Sequence, residues 1–325
     1  MKIEAEGFQV AYRIELGKAT AFLVVHAAPY GRSFGGIRLR KYVSDDAALE
    51  DAKQLATAMT RKVLLAGISA GGAKTVIRVP AEGWSAEARD AGMRRLGEFI
   101  QGLEGLYYCG ADLGFTDADE ASMRATCSFV APRSVGPWTA QSVLIAMRAV
   151  CDPESVAVQG LGVVGGHVAT DLIDKGARVV GADLDGAAEA AVPGLISVPP
   201  DAIYDTECDV FSPCATGGVL DAETIDRLRC RVVCGGANNP LAGPDDAERL
   251  RQRGILYVPS VLANAGAVIK GASDALGESD AIDERMRGIA ERVKDVLAIS
   301  EREGRSPHLV SHDLADHLLV LAFER

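Results

Sequence analysis

No stretch of the 325-residue chain reaches the ~18 consecutive apolar residues of a membrane-spanning helix, so no span and no membrane partner is expected. The first residues, MKIEAEGFQV, contain no apolar signal core, and the chain reads as cytoplasmic. Metal-ligand spacing is missing too. Cys109, Cys127, Cys151, Cys208, Cys214, Cys230 and Cys234 form no CxxC pair, and their odd number fits reduced thiols rather than a disulfide framework. His26, His167, His308, His312 and His317 form no HExxH, and the last two stand five apart, a poor spacing for one helical face. No metal is expected. Positive charge is in short supply, 34 Lys and Arg against 45 Asp and Glu, a net charge of −11. That balance disfavours nucleic acid as a partner.

What is present is apolar residues, at 48%, and 35 glycines, the composition of a packed α/β protein long enough for two domains. Residues 7–14 and 20–27 alternate as a strand pair turned near Gly17, and 28–36 read as a loop or edge ending in Gly35-Gly36 before a strand at 37–40. His26, ending the second strand, reads as a hydrogen-bonded core histidine. Residues 45–63 read as a helix: Ser44 caps it, Asp45 and Asp46 suit its N-terminus, and Ala48, Ala52, Leu55, Ala56 and Met59 recur at helical spacing. Lys62 falls in its last turn. A Gly-rich connection, Gly71-Gly72-Ala73, then leads through Lys74 into a strand at 75–79. Two lysines sharing one pocket disfavour each other's protonation, and burial adds to that, giving an amine fit for base chemistry. The plainer alternative is two surface lysines at the ends of a helix and a loop. A second helix over 85–103, a strand from Tyr107 to Asp112 and a helix from Thr116 follow. Pro132 and Gly136 mark a boundary.

The second half opens with a helix over 139–150. A β-branched run, 155–159, enters Gly160-Leu161-Gly162-Val163-Val164-Gly165, a GxGxxG at the mouth of a helix over 164–175. The next strand, 177–182, ends on Asp183. Strand, glycines, helix, strand and acid within about thirty residues predict a dinucleotide site, with the pyrophosphate at the helix N-terminus. Asp183 would accept from the ribose hydroxyls and repel a 2′-phosphate, which favours NAD. Further strands at 210–212, 232–234 and 256–259 end on Cys214-Ala215, on Ala237-Asn238-Asn239 and near Asn264. In open parallel sheets ligands lie at such strand ends, which makes Asn239 and Asn264 candidate contacts, although Asn near Gly taken alone is more often simple turn chemistry. A long amphipathic helix, 282–301, and a last helix, 308–323, complete the chain.

Taken together, FGGIR at 34–38, MTRK…GGAK at 59–74, YYCGADLG at 107–114, TAQSV at 139–143, GLGVVG at 160–165, ANNPL at 237–241 and NAGAVI at 264–269 resemble, in the same order, the glutamate/leucine/phenylalanine/valine dehydrogenase family, above all its short leucine and phenylalanine members. The resemblance implies that Lys62 and the Gly35-Gly36 backbone hold a substrate α-carboxylate. It implies that Lys74 activates water at the reacting carbon and that Asp112 shuttles the proton of the amino nitrogen. Asn264 is implied near substrate carboxylate and cofactor, and Thr139, Asp183 and Asn239 at NAD. The implied activity is NAD-dependent, reversible oxidative deamination of an L-amino acid to the 2-oxo acid and ammonia, in a homo-oligomer, dimer or higher. Three departures stand out: Ala73 adds a methyl beside Lys74, Phe115 stands where a small hydroxyl residue is common, and the longer C-terminal tail of leucine dehydrogenase has no counterpart.

Glutamate dehydrogenases of the family carry a lysine where Phe34 stands, so an acidic side chain is not expected in the substrate. Gly110 opens room that Phe34 partly takes back, and the balance points to large aliphatic or aromatic substrates. The expected architecture is an α/β catalytic domain, 1–134, and a Rossmann domain, 135–290, with a cleft between them and about 291–325 returning to the first. A sensor that binds NAD or amino acid without turnover is the alternative from another class. A hydroxy-acid dehydrogenase would want a His–carboxylate pair, and His167 lies inside the cofactor helix.

Overall fold

Ser44 begins the first long helix, α1 (Asp45–Leu65): its side chain accepts from the Ala47 amide, and Asp45 and Asp46 occupy the first turn. The computed structural model describes residues 1–131 and 136–324. The chain divides into two units, Met1–Ser134 with Val268–Ile282 and Ala315–Arg325, and Val135–Ala267 with Asp283–Leu314. The boundary expected at 134/135 lies outside the described residues. The returning segment differs from the expected 291–325. The helix Pro307–Phe323 begins in the second unit, where His308 meets Tyr257, and ends in the first, where Asp316 pairs with Arg61.

The first unit is a six-stranded mixed sheet of β1 (Lys2–Ile3), β2 (Val10–Leu16), β3 (Ala19–Val25), β4 (Ser33–Arg40), β5 (Gly71–Arg78) and β6 (Tyr107–Ala111), in the order β1-β2-β3-β5-β4-β6. β5, β4 and β6 run parallel. One face packs on the small side chains of α1, Ala48, Ala52 and Ala56 meeting Phe22, Val24 and Val76. The other face buries Leu23, Ile37, Ala73 and Ile77 against Met93, Leu96 and Ile100 of α2 (Ala86–Gln101) and Met123 of α3 (Asp117–Arg124).

Two glycine stretches expected as connections are strand instead. β4 starts at Ser33, not Ile37, and β5 at Gly71, not Thr75. Close approach of backbones is the reason: a Cβ on Gly72 would strike the Thr60 backbone of α1, and one on Gly35 the Ala73 carbonyl. Lys74 therefore stands inside a buried strand, not at the end of a loop. The β4–β5 register is the same before and after Gly35 and Gly36, from Phe34↔Gly72 to Ile37↔Thr75, with the ladder pairs skipped at the two glycines.

The second unit is a parallel sheet of β7 (Ser155–Gln159), β8 (Arg178–Ala182), β9 (Ile196–Ser197), β10 (Val210–Pro213), β11 (Val232–Val233) and β12 (Leu256–Tyr257). Its order is β12-β11-β10-β7-β8-β9. The chain winds outward from β7 to β9, crosses back to β10, and winds outward again. This is the doubly wound Rossmann arrangement, with its switch point between β7 and β10. α4 (Gly136–Arg148) precedes β7, and α5 (Val163–Asp174) follows it.

Candidate active site and dinucleotide loop

The period of a strand sets the first constellation. Phe34, Gly36 and Arg38 alternate onto one face of β4, Gly72, Lys74 and Val76 onto the same face of β5, and Gly110 of β6 leads to Asp112 just past the strand's end. Gly36 pairs with Gly110 across β4–β6. Gly36 makes room: a Cβ there would lie 2.8 Å from Lys74 Nζ and 3.0 Å from Asp112 Cβ. Lys74 Nζ donates to Asp112 Oδ2 at 2.6 Å, and Arg38 Nε donates to the same oxygen at 3.0 Å. The last turn of α1 brings Lys62 close enough to Lys74 and Asp112 for both to act on its charge. Tyr107, fully buried on the opposite face of β6, braces the glycines: its hydroxyl lies 3.3 Å from Gly35 O and 3.4 Å from Gly36 O.

The electrostatics follow from that packing. Burial first and the neighbouring Lys74 charge second lower the Lys62 ammonium to about 8, against the opposing pull of Asp112. Lys74, only 5% exposed, is also lowered by burial, which outweighs the attraction of Asp112. The Asp112 carboxyl is opposed by desolvation, yet the Lys74 and Arg38 charges hold it down at about 2. A depressed amine and a firmly ionised carboxylate thus share one contact. Surface placement of the two lysines is ruled out for Lys74.

The departures from the family pattern lie away from this face. Ala73 alternates to the other side of β5, and its methyl packs in the α2 core rather than beside the Lys74 amine. Phe115 is buried in that same core. Phe34 is buried on the site's own face, and a Cβ on Gly110 would meet its Cζ at 3.5 Å. The room opened at Gly110 is therefore covered by the Phe34 ring. His26, expected in the core, is half-buried with Nδ1 2.8 Å from Thr60 Oγ1.

The second constellation is built from backbone. Gly160, at φ +87°, turns the chain after β7, and a Cβ there would meet Ala215 at 2.6 Å. A Cβ on Gly165 would strike Gly160 O and come within 3.0 Å of Cys214 Cβ, and one on Gly236 would meet Val164 Cγ1 at 2.5 Å. The loop residues after β7, β10 and β11 thus interlock. Gly162 differs: it begins α5 with no side-chain cap, and a Cβ there would meet nothing within 4 Å. The N-terminus of a twelve-residue helix therefore opens through a bare backbone, a cradle that fits a pyrophosphate. Val163, in the first turn, is largely exposed. Asp183 Oδ2 accepts from Leu161 N at 2.6 Å and Oδ1 from Asp185 N at 2.9 Å, and these bonds lower its pKa, Asp185 first. Asp183 thus also anchors the glycine loop.

Thr139 is buried on α4, and three residues later Ser142 donates to Ala263 O and accepts from Gly266 N, tying α4 to the Asn264 turn. Asn264 Nδ2 is engaged by Gly236 O, Ala237 O and Asn238 Oδ1 at 3.0–3.3 Å, and Oδ1 is buried without a partner among the described residues. An orphaned acceptor suits a ligand N–H. Asn239 is exposed with φ +48°, the left-handed conformation of a turn asparagine. Sequence reasoning passed over Arg38 and Tyr107. The alternation Phe34, Gly36, Arg38 was the signal available for the first; the second needed the β4–β6 register.

Residues 7–128 match the family described as Glu/Leu/Phe/Val dehydrogenase, dimerisation domain, and residues 194–300 match Glutamate/Leucine/Phenylalanine/Valine dehydrogenase. A leucine dehydrogenase of Thermoactinomyces intermedius is 35% identical over 93% of this chain and 87% of its own length. The chain belongs to this family. A phenylalanine dehydrogenase of Caldalkalibacillus thermarum is 33% identical over 88% of this chain and 84% of its own. The crystal structure of L-tryptophan dehydrogenase from Nostoc punctiforme superposes with a TM-score of 0.87 at 27% identity, covering 98% of each chain. Family membership makes the chain an oxidoreductase of amino acids that uses a nicotinamide dinucleotide. Among the described residues no helix is long and apolar enough to cross a membrane, and no group of three or more His, Cys, Asp or Glu side chains could hold a metal ion.

Proposed function

We propose that the chain catalyses the NAD-dependent, reversible oxidative deamination of a large aliphatic or aromatic L-amino acid to its 2-oxo acid and ammonia. The observation that carries this reading is the Lys74–Asp112 contact at 2.6 Å, held beside Gly36 with Lys62 in range. Lys62 and the Gly35-Gly36 backbone hold the α-carboxylate. Asp112 takes the proton of the amino nitrogen as the Cα–N bond becomes an imine. Lys74, its ammonium held below its ordinary value by burial, removes a proton from the water that attacks the imine carbon, and returns one as ammonia departs. The dinucleotide, when bound along Gly160–Gly165, supplies the hydride acceptor. Thr139, Cys214, Ala215, Ala237 and Asn239 line its place at the strand ends and on α4. Asn264 Oδ1 offers an acceptor to an ammonium or carboxamide N–H.

Asp183, with Asp185 and the Glu189 carboxylate on its own amide, surrounds the ribose position with negative charge, which supports NAD over NADP. The Phe34 ring offers an apolar floor and cannot compensate a buried substrate carboxylate. The protein acts as a cytoplasmic homo-oligomer in this reading. A sensor without turnover has no observation in its favour, because the amine and carboxylate that turnover needs are in contact.

The test is reduction of NAD and NADP at 340 nm with a panel of L-amino acids. Leucine, phenylalanine and tryptophan should be oxidised, glutamate and aspartate barely, and NAD preferred by about 2–3 kcal/mol in kcat/KM. Preference for glutamate would sink the pocket assignment, and parity between the dinucleotides would sink the role of Asp183.

A further inference from the structure

We infer that Arg38 is a positioning residue for proton transfer: bridged to Asp51 on one side, its guanidinium holds the Asp112 carboxylate where Lys74 meets it. The inference rests on the reading of Lys74 and Asp112 given above. Arg38 Nε donates to Asp112 Oδ2 at 3.0 Å, and Nη1 donates to Asp51 Oδ2 at 3.4 Å. Asp51 stands on α1, and its Oδ2 also accepts from the Tyr42 hydroxyl. The chain of contacts is therefore Tyr42, Asp51, Arg38, Asp112, Lys74, entirely within the first unit. The guanidinium and the carboxylates at both its ends are each only about one-quarter exposed or less. A planar fork with donors on separate nitrogens spans two carboxylates at a fixed spacing, whereas the three donors of an ammonium radiate from one atom and set no such spacing.

Asp112 follows β6 and has no helix of its own to fix it. The fixed partners are on its neighbours: Lys74 on β5, Arg38 on β4, and Lys62 on α1, with the Tyr107 hydroxyl below on β6. Arg38 acts on both members of the pair with one sign. It favours the Asp112 carboxylate and disfavours the Lys74 ammonium. Asp51 opposes it at Lys74, favouring the ammonium there. Removing Arg38 must raise both titrations, whereas removing the Asp51 charge must lower that of Lys74.

The experiment uses the full-length enzyme with its best amino acid and NAD, and follows kcat and KM against pH. Arg38→Met should lower kcat about 100-fold, the cost of misplacing a reacting group, and leave KM nearly unchanged because Lys62 carries the carboxylate. The acid limb of its kcat profile should move to higher pH. Arg38→Lys should bring the limb back but not kcat, and Asp51→Asn should lower kcat while moving the limb to lower pH. A folded Arg38→Met enzyme whose limb stays in place overturns the proposal, as does full recovery of kcat in Arg38→Lys. Should Arg38→Met not fold, the opposed behaviour of Arg38→Lys and Asp51→Asn decides by the same criteria. A wild type inactive on every amino acid overturns the functional reading and this one together, whereas an active wild type with an unmoved limb overturns this one alone.

Discussion

Glycine serves opposite purposes in the two units. On β4, Gly36 clears space for charged side chains, with Lys74 Nζ standing 2.8 Å from where its Cβ would be. After β7, Gly160 and Gly165 clear space mainly for backbone, the Ala215 amide and the Gly160 carbonyl, with the Ala215 and Cys214 β-carbons beside them. The first region therefore acts through ionisable atoms whose pKa depends on burial and neighbours. The second acts through shape and the partial charge of a helix end. A change of charge at Lys62 or Lys74 should harm the first and spare the second, and a methyl added at Gly162 should do the reverse.

The largest effect expected is in the first region. Lys74→Ala should lower turnover about 10²–10⁴-fold, the range of general acid–base catalysis, with NADH affinity unchanged by fluorescence titration. Turnover within tenfold of wild type would remove Lys74 from the chemistry. Next is Gly162→Ala. Its backbone, at φ −63°, accepts a Cβ that meets no protein atom, so thermal stability should hold. The methyl would enter the cradle, and NADH affinity should fall by about 1–3 kcal/mol, the cost of overpacking. Unchanged affinity would mean that the pyrophosphate lies elsewhere.

A smaller effect comes from pH. The Lys62 ammonium, lowered to about 8, is charged below that value and neutral above it. KM for the amino acid should rise above about pH 8, by up to about tenfold per unit, while KM for NAD stays level. In Lys62→Arg, which keeps its charge, the rise should disappear; its persistence would place the carboxylate on another group. The smallest effect is at Ala73→Gly. Its methyl lies in the α2 core, so calorimetry should show a loss of about 0.5–1 kcal/mol in stability and kinetics no change in kcat. A faster enzyme would mean that the methyl does reach the amine.

Capped, periodic elements were legible before any coordinates. Ser44 with Asp45 and Asp46 announced α1, and the run 155–159 before the glycines announced β7 and α5. The glycine stretches of β4 and β5 were not legible as strand, because glycine disfavours strands in isolation and is kept here by close neighbours, the α1 backbone at Gly72 and the Ala73 carbonyl at Gly35. Two-residue strands such as β9 and β12 carry too little pattern to delimit. In the site, Lys62, Lys74 and Asp112 stood out by motif. Arg38 sat within a quoted motif without a role, because its partners Asp51 and Asp112 lie thirteen and seventy-four residues away and only sheet register and helix packing join them. The amide orientation that leaves Asn264 Oδ1 orphaned likewise depends on turns distant in sequence.

The Phe34 ring lying over Gly110 has a consequence for anyone who would redirect the enzyme. Positions 34 and 110 share one volume, since the tip of the ring stands 3.5 Å from where a methyl at 110 would begin. Under the proposed function, changes at the two positions should be epistatic: their effects on substrate preference should not add, because each sets how much space the other controls. A scan that varies one position at a time would misjudge both. The smaller ring-free residues that deepen the pocket at 34 only reveal the room at Gly110 once the ring is gone, so the productive search varies the pair as a single unit.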